Sequence, residues 1–298
     1  MTTEWIGWLY TLVVLMLAAY GLHLLAAWSV AAWAAWRQPR LTSAGRQRAA
    51  PEQTWPVVLV QLPVFNERFV VERAIDAAVA LEYPAGRLLI QVLDDSTDET
   101  AALARARVAA HRARGSAITY IHRRDRAGFK AGALAAGLAA EPRAELVAIF
   151  DADFVPGHDF LLRLVPDFLA DPRLGMVQAR WEHLNPAQNA VTAAQALAYD
   201  SYFSVEQVAR SQAGWLMNFN GSAGIWRRTC IAEAGGWQGD TLAEDLDLSY
   251  RAQLRGWRLA YRLEVAAPGE QAAGQQAVKR PQLRRAKGKF KVQSKQGG

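Results

Sequence analysis

Four short stretches of this 298-residue chain concentrate side chains able to bind cations, bind anions or move a proton. Asp94-Asp95-Ser96-Thr97-Asp98 follows one apolar run, and Asp151-Ala152-Asp153 follows another. Side chains two apart on an extended segment point the same way, so Asp151 and Asp153 are expected to offer both carboxylates to one cation. Neither segment contains His or Cys, so the donors are all oxygen and suit Mg2+ or Mn2+ shared with substrate phosphates. A capped helix start at 94–98 and a surface turn at 151–153 are the plainer alternatives. The third stretch, His122-Arg123-Arg124-Asp125-Arg126-Ala127-Gly128-Phe129-Lys130-Ala131-Gly132, places cations at a Gly-containing helix start. That combination binds anions, a diphosphate above all, although a solvated loop also explains scattered arginines. The fourth, Asp240 to Tyr250, carries Asp240, Glu244, Asp245 and Asp247 at the opening of a helix. An acid there either caps the helix or serves as general base toward a hydroxyl within hydrogen-bond reach.

These stretches need a scaffold that gathers them. Apolar runs rich in β-branched residues at 57–62, 88–93 and 146–150, with another strand at 118–122, alternate with helical patterns at 67–81, 99–113 and 128–140. Pro63 is expected to end the first strand. Strand and helix in alternation favour a mainly parallel sheet covered on both faces, with ligands beyond the carboxyl ends of the strands. The acids and the basic segment fall at those ends. After the first strand stands Leu62-Pro63-Val64-Phe65-Asn66-Glu67, with no G-x-G-x-x-G turn, and no P-loop spacing occurs anywhere, which disfavours a dinucleotide cofactor.

The first fifty residues bear on the compartment. Residues 5–36 contain no Asp, Glu, Lys or Arg, and as a helix they would run about 48 Å against a hydrocarbon layer of about 30 Å. Trp5, Trp8 and Tyr10 at one end, with Trp28, Trp33 and Trp36 at the other, suit the two water interfaces. A cleaved signal peptide is the competing reading; its apolar region would be shorter and preceded by basic residues, whereas Glu4 is the only charge ahead of this run. Arg37, Arg40, Arg46 and Arg48 follow, which places the downstream chain in the cytoplasm by the positive-inside bias. The net charge of +6 is a property of the tail, since residues 269–298 carry eight Lys/Arg against Glu270 alone and the rest sums to −1. Nucleic acid is therefore not an expected partner of the folded body. A single cysteine, Cys230, excludes an intrachain disulfide framework and a Cys-rich zinc site.

Taken in order, these segments resemble the membrane-bound family 2 glycosyltransferases of the GT-A fold, close to the bacterial relatives of cellulose synthase, plant mannan synthases and ceramide glucosyltransferase. Five segments carry the resemblance: Pro63-Val64-Phe65-Asn66-Glu67, Asp94-Asp95-Ser96, the basic segment from His122 to Leu134, Asp151-Ala152-Asp153, and the acceptor-side pair Asn220-Gly221-Ser222 and Ala243-Glu244-Asp245. The resemblance implies an α/β, Rossmann-like GT-A domain with a mixed, mainly parallel sheet over residues 56–268. It is preceded by a transmembrane helix at 1–36 and a basic juxtamembrane linker at 37–55, and followed by a basic tail at 269–298. It implies that Asn66, Glu67 and Asp95 hold the nucleoside, that Arg126 and Lys130 face the diphosphate or the sugar, and that Asp151 and Asp153 hold the sugar nucleotide and a divalent metal. Asp245 would be the catalytic base, with Asn220, Gly221, Glu244, Gln178, Trp181 and Arg284 on the acceptor side and Trp215 along the same path.

The implied activity is an inverting, metal-dependent transfer of a hexose from a UDP-glucose or GDP-mannose type donor to a glycan or lipid acceptor, in polysaccharide or glycolipid synthesis. The implied location is a single-pass membrane protein with its catalytic domain in the cytoplasm, of the bacterial inner-membrane type. One departure stands out: where the family carries Gln-Gln-x-Arg-Trp, this chain reads Pro281-Gln282-Leu283-Arg284-Arg285. With the stacking Trp replaced by Arg285 and only the largely polar and basic residues 289–298 after Gly288, processive secretion is not expected from this chain alone. A catalytically impaired nucleotide-sugar binder and a membrane-anchored scaffold with a lipid- or nucleic-acid-binding basic tail are the alternatives.

Overall fold

The computed structural model describes residues 2–37, 55–241 and 243–271. The first element, α1 (Thr2–Arg37), is helical throughout. It carries a stretch from Trp5 to Trp33, of mean hydropathy 2.0, that is long and apolar enough to cross a membrane. The expected basic linker, apart from its two ends, and nearly all of the basic tail lie outside the described residues.

The domain is built on one seven-stranded sheet. Its strands are β1 (Val58–Val64), β2 (Leu88–Asp94), β3 (Ile118–His122), β4 (Leu146–Ile149), β5 (Leu174–His183), β6 (Gly224–Arg227) and β7 (Arg258–Gly269). Their spatial order is β3-β2-β1-β4-β6-β5-β7. β1, β2, β3 and β4 are parallel, and so are β5 and β7, while β6 runs antiparallel between β4 and β5. The sheet is therefore mixed and mainly parallel, as expected from the alternation of strand and helix. The helices are α2 (Val71–Val79), α3 (Thr100–Ala113), α4 (Phe129–Ala140), α5 (Phe160–Ala170), α6 (Ala190–Ser201), α7 (Val208–Ala213), α8 (Arg228–Glu233) and α9 (Glu244–Leu254), with a π-helical turn at Tyr202–Gln207 between α6 and α7.

Successive residues of β1 face opposite sides, and the core divides accordingly. Val58, Val60, Leu62 and Val64 pack with Ile75 of α2, Val108 of α3 and Leu161 and Val165 of α5. Leu59 packs on the other side with Leu134 of α4, Ile231 of α8 and Leu248 of α9. Burial on both faces explains the unbroken apolar runs of the parallel strands.

Two expectations about boundaries change. β1 does not stop at Pro63 but continues to Val64, with Pro63 opposite Leu93 of β2. Its other neighbour, β4, pairs only as far as Gln61, so no ladder bond is lost where Pro63 lacks its N–H. The helix expected from residue 67 begins at Val71. The intervening residues instead form a turn, and Asn66 adopts a left-handed φ of 57°.

Candidate active site

The parallel register aligns the ends of the first three strands: Val64 lies opposite Asp94, and Asp94 opposite His122. The loops that leave these ends carry Asn66, Glu67, Asp95 and Arg126. The first acid of the pair, Asp94, is fully buried. It accepts the Ser96 N–H at 2.8 Å and the Tyr120 hydroxyl at 2.5 Å, with His122 Nδ1 at 3.3 Å. Asp94 thus holds its own loop. Asn66 couples that loop to the end of β1: the Asn66 N–H donates to Ser96 Oγ at 2.9 Å, and the Thr97 N–H donates to Asn66 Oδ1 at 2.9 Å. Ser96 is consequently a tie between loops, and the role of accepting at the start of α3 goes to Asp98, whose Oδ1 takes the Thr100 N–H at 2.9 Å.

Asp95 is gripped by Arg123, which donates Nε to Oδ1 at 2.7 Å and Nη2 to Oδ2 at 2.5 Å. The same guanidinium donates to the carbonyls of Ala127 and Phe129, so one bidentate pair ties the β2 loop to the turn that starts α4. Arg126 Nε stands 3.8 Å from Asp95 Oδ2, and its guanidinium carbon lies 3.2 Å from the centre of the Phe65 ring. Arg123 and Phe65 were not singled out from sequence, because nothing in a run of arginines tells which one points inward.

Lys130, in the first turn of α4, joins the turn after β4 to the 218–222 loop. Its Nζ donates to Asp151 Oδ1 and, at 2.8 Å, to the carbonyl of Gly221. Burial opposes its charge, but the carboxylates of Asp151, Glu244 and Asp245 outweigh that and hold the ammonium up to about 12. Asp151 and Asp153 do not sit on an extended segment: after β4 the chain turns, the Phe154 N–H donating to the Asp151 carbonyl at 3.0 Å. Burial and the Asp151 charge push the Asp153 carboxyl up to about 7. Glu67 belongs with this group electrostatically, since burial and the charges of Asp151 and Asp153 raise it to about 8.

The acceptor-side motifs meet here too. The Asp151 N–H donates to Ser222 Oγ at 2.9 Å. Gly221 has φ 86°, and a Cβ added to it would lie 3.1 Å from Asp245 Oδ2 and 3.5 Å from Lys130 Nζ. Asp245 opens α9, where its Oδ1 takes the Leu246 N–H at 2.8 Å. Ser249 Oγ donates to the Asp245 carbonyl at 2.6 Å and accepts the Phe219 N–H at 2.8 Å, binding α9 to the 218–222 loop. Burial raises the neighbouring Glu244 carboxyl, with Lys130 opposing. Asp247 is spent on Arg251, at 2.6 Å, and Asp240 is exposed.

Gln178 and Trp181 require correction. Gln178 is fully buried. Its Nε2 donates to the carbonyls of Ala179, Ser222 and Ala223, and its Oε1 accepts the Asn220 N–H at 3.0 Å. No atom of it is free for an acceptor; it holds the loop from behind. Trp181 donates Nε1 to the Ser222 carbonyl at 3.2 Å and packs among Phe154, Tyr199 and Phe203. The ring is partly buried and packs against the core from its edge. Trp215 is half-exposed and stacks near His23 of α1, centroids 5.9 Å apart. Asn220 Oδ1 accepts from Tyr202 and Asn218. Arg284 lies outside the described residues.

Among the described residues, the non-glycine positions with left-handed φ are Asn66, Phe129 and Ala223, and each borders one of the loops just described. Strain of this kind persists where surrounding contacts over-determine it. Gly221→Ala is expected to add a left-handed alanine costing about 1–2 kcal/mol and to displace the Asp245 carboxylate. Thermal unfolding should register that cost.

The all-oxygen donor set fits a divalent cation on one further observation: Asp153 Oδ1 is buried without a hydrogen-bond partner among the described residues. A cation beside Asp151 and Asp153 would satisfy it. Among the described residues no cluster of three or more acidic, His or Cys side chains is arranged to hold a metal alone, so two carboxylates would share the ion with phosphate oxygens.

Comparison with known proteins places this cleft in context. Residues 56–288 match the family described as glycosyltransferase like family 2. Glucomannan 4-beta-mannosyltransferase 2 of Arabidopsis thaliana is 46% identical over 210 residues, 70% of this chain and 39% of the relative. Probable glucomannan 4-beta-mannosyltransferase 3 of Oryza sativa subsp. japonica is 43% identical over 219 residues, 72% of this chain and 40% of the relative. The chain therefore spans about two-fifths of the length of these curated relatives. Among solved structures, a mannosyltransferase from Pyrobaculum calidifontis in complex with GDP-Man and Mn2+ superposes with a TM-score of 0.71 at 26% identity, covering 96% of this chain and 75% of that one.

Proposed function

Because this chain belongs to the glycosyltransferase-like family 2, we propose that its cleft moves a mannosyl residue from GDP-mannose to a sugar hydroxyl, inverting the anomeric centre to give a β-linkage. The observation that carries the reading is the Lys130 bridge. A single ammonium contacts Asp151 on the donor side and the Gly221 carbonyl on the acceptor side, with Asp245 within van der Waals distance of where a Gly221 Cβ would stand. The mannosyl names of the relatives and the GDP-Man complex of the archaeal enzyme support the donor.

In this reading Asp95, Arg123, Arg126 and Asn66 form the nucleoside end of the cleft. Lys130 and the α4 start receive the diphosphate, where a cation and backbone N–H groups favour negative charge. Asp151 and Asp153 would hold Mn2+ or Mg2+, which when bound neutralises charge on the departing diphosphate. Asp245 accepts the proton of the attacking hydroxyl as oxygen bonds to the anomeric carbon and the bond to the diphosphate breaks. Gly221, lacking a side chain, lets that carboxylate and the Lys130 ammonium close up against the loop. α1 crosses the membrane once, with the arginines from Arg37 onward keeping the domain on the cytoplasmic side.

The test is nucleotide release by the full chain in nanodiscs, with Mn2+ and a β-linked mannan oligosaccharide. GDP-mannose is expected to be turned over with a β-mannosidase-sensitive product. Turnover of UDP-glucose in preference, or release from neither donor, would overturn the assignment.

A further inference from the structure

α1 has two halves with different surroundings. Large side chains are exposed from Trp5 through to Trp36, but in the second half one face is covered, with Ala27 and Ala31 buried. Ala31 packs into a cluster with Phe203, Val208, Met217 and Tyr261, and the His23 ring stacks near Trp215 with planes 28° apart. A hydrocarbon layer of about 30 Å takes roughly 20 helical residues. Counted from Trp5 the layer ends close to His23, where the helix first meets the domain. Sliding the span toward Trp33 would draw the domain's polar loops into hydrocarbon, where unsatisfied backbone groups each cost several kcal/mol. The water–lipid boundary therefore falls level with residues 214–217. That loop presents Trp215 and Leu216, the latter 52% exposed. An indole beside an exposed aliphatic side chain suits the headgroup zone, where an apolar body and a polar N–H are both satisfied.

We propose that residues 214–217 form a second membrane contact, with Trp215 and Leu216 seated in the interface of the bilayer that α1 crosses. The inference rests on α1 being a membrane span. The contact bears on the site because the next residue, Met217, exchanges two hydrogen bonds with Gln253 of α9, 2.8 Å at its N–H and 2.7 Å at its carbonyl. Asn220 and Gly221 stand three and four residues further on. A loop pinned to lipid on one side and to the Asp245 helix on the other fixes the acceptor side of the cleft facing the membrane surface.

The experiment attaches an environment-sensitive fluorophore to the full chain at Leu216→Cys, Val14→Cys or Arg114→Cys, in phosphatidylcholine/phosphatidylglycerol nanodiscs containing doxyl-labelled lipid. Cys230 is buried and stays unlabelled under native conditions. Arg114 is exposed at the end of α3, beside β3 at the sheet edge opposite β7, about 29 Å away at about 4.8 Å per strand. Lipid quenching at Leu216→Cys at least about twice that at Arg114→Cys, with strong quenching at Val14→Cys, is the expected result. Quenching at Val14→Cys with none above the Arg114→Cys level at Leu216→Cys overturns the contact while leaving the span intact, whether water, a second copy or the basic tail covers the loop. Quenching at neither position removes both. The donor assay above is independent of all three labels.

Discussion

Asp245→Asn is expected to lower the proposed mannosyl transfer by about 10²–10⁴-fold while GDP binds with nearly unchanged affinity, because removing the proposed general base costs the proton-transfer step alone. The substitution is close to isosteric. Asn can keep the bond from the Leu246 N–H to the side-chain oxygen, and the Ser249 tie to the backbone carbonyl does not involve the side chain. α9 should therefore stay in place. What disappears is the second oxygen's capacity to take a proton, on the side chain that faces Gly221. Single-turnover transfer and GDP titration on the same preparation separate the two effects. Retention of more than a tenth of wild-type transfer would remove Asp245 from the mechanism.

Asp153→Asn is expected to raise the stability of the metal-free protein at alkaline pH and to lower turnover by roughly 100-fold or more, the scale of losing charge neutralisation at a departing phosphate. The pH sign follows from the raised carboxyls. Glu67 and Asp153 are pushed up to about 8 and about 7 by burial and mutual repulsion with Asp151. The folded state then binds more protons than the unfolded chain between the ordinary carboxylate range and those values. Their favourable contribution is complete at acidic pH and is lost as pH rises through 7 and 8, so the thermal midpoint of the metal-free protein should fall across that window. Mn2+ with GDP should restore it in the wild type. In Asp153→Asn the fall should be shallower and the restoration weaker. A midpoint indifferent to pH, or a full Mn2+ response in the variant, contradicts the assignment of this carboxylate to the metal.

The scaffold was legible because its signals are local. The β-branched runs at 88–93 and 118–122 and the helical pattern at 99–113 need only neighbouring residues to declare themselves, and β2, β3 and α3 stand within a residue or so of those limits. Pro63 misled for an equally local reason: whether a missing N–H ends a strand depends on the length of the strand beside it. Asp151-Ala152-Asp153 looks extended in sequence because nothing in three residues reveals that the chain turns back to bond Phe154 to Asp151. Gln178 and Trp181 illustrate the reverse difficulty. An amide and an indole with carbohydrate-binding chemistry are spent on the backbone of the 220–223 loop, a use visible only once β5 lies beneath that loop.

By itself the sequence determined the alternation of strand and helix, the apolar character of α1, and which residue types stand at the strand ends, since these follow from short-range periodicity and composition. Only the tertiary structure decided which charge meets which. Arg123 rather than a neighbouring arginine takes Asp95 across 28 residues, and Lys130 reaches Gly221 across 91. Such pairings depend on a parallel sheet delivering its loops to one edge, so the partner of a buried charge is a property of strand order and not of the residues around it.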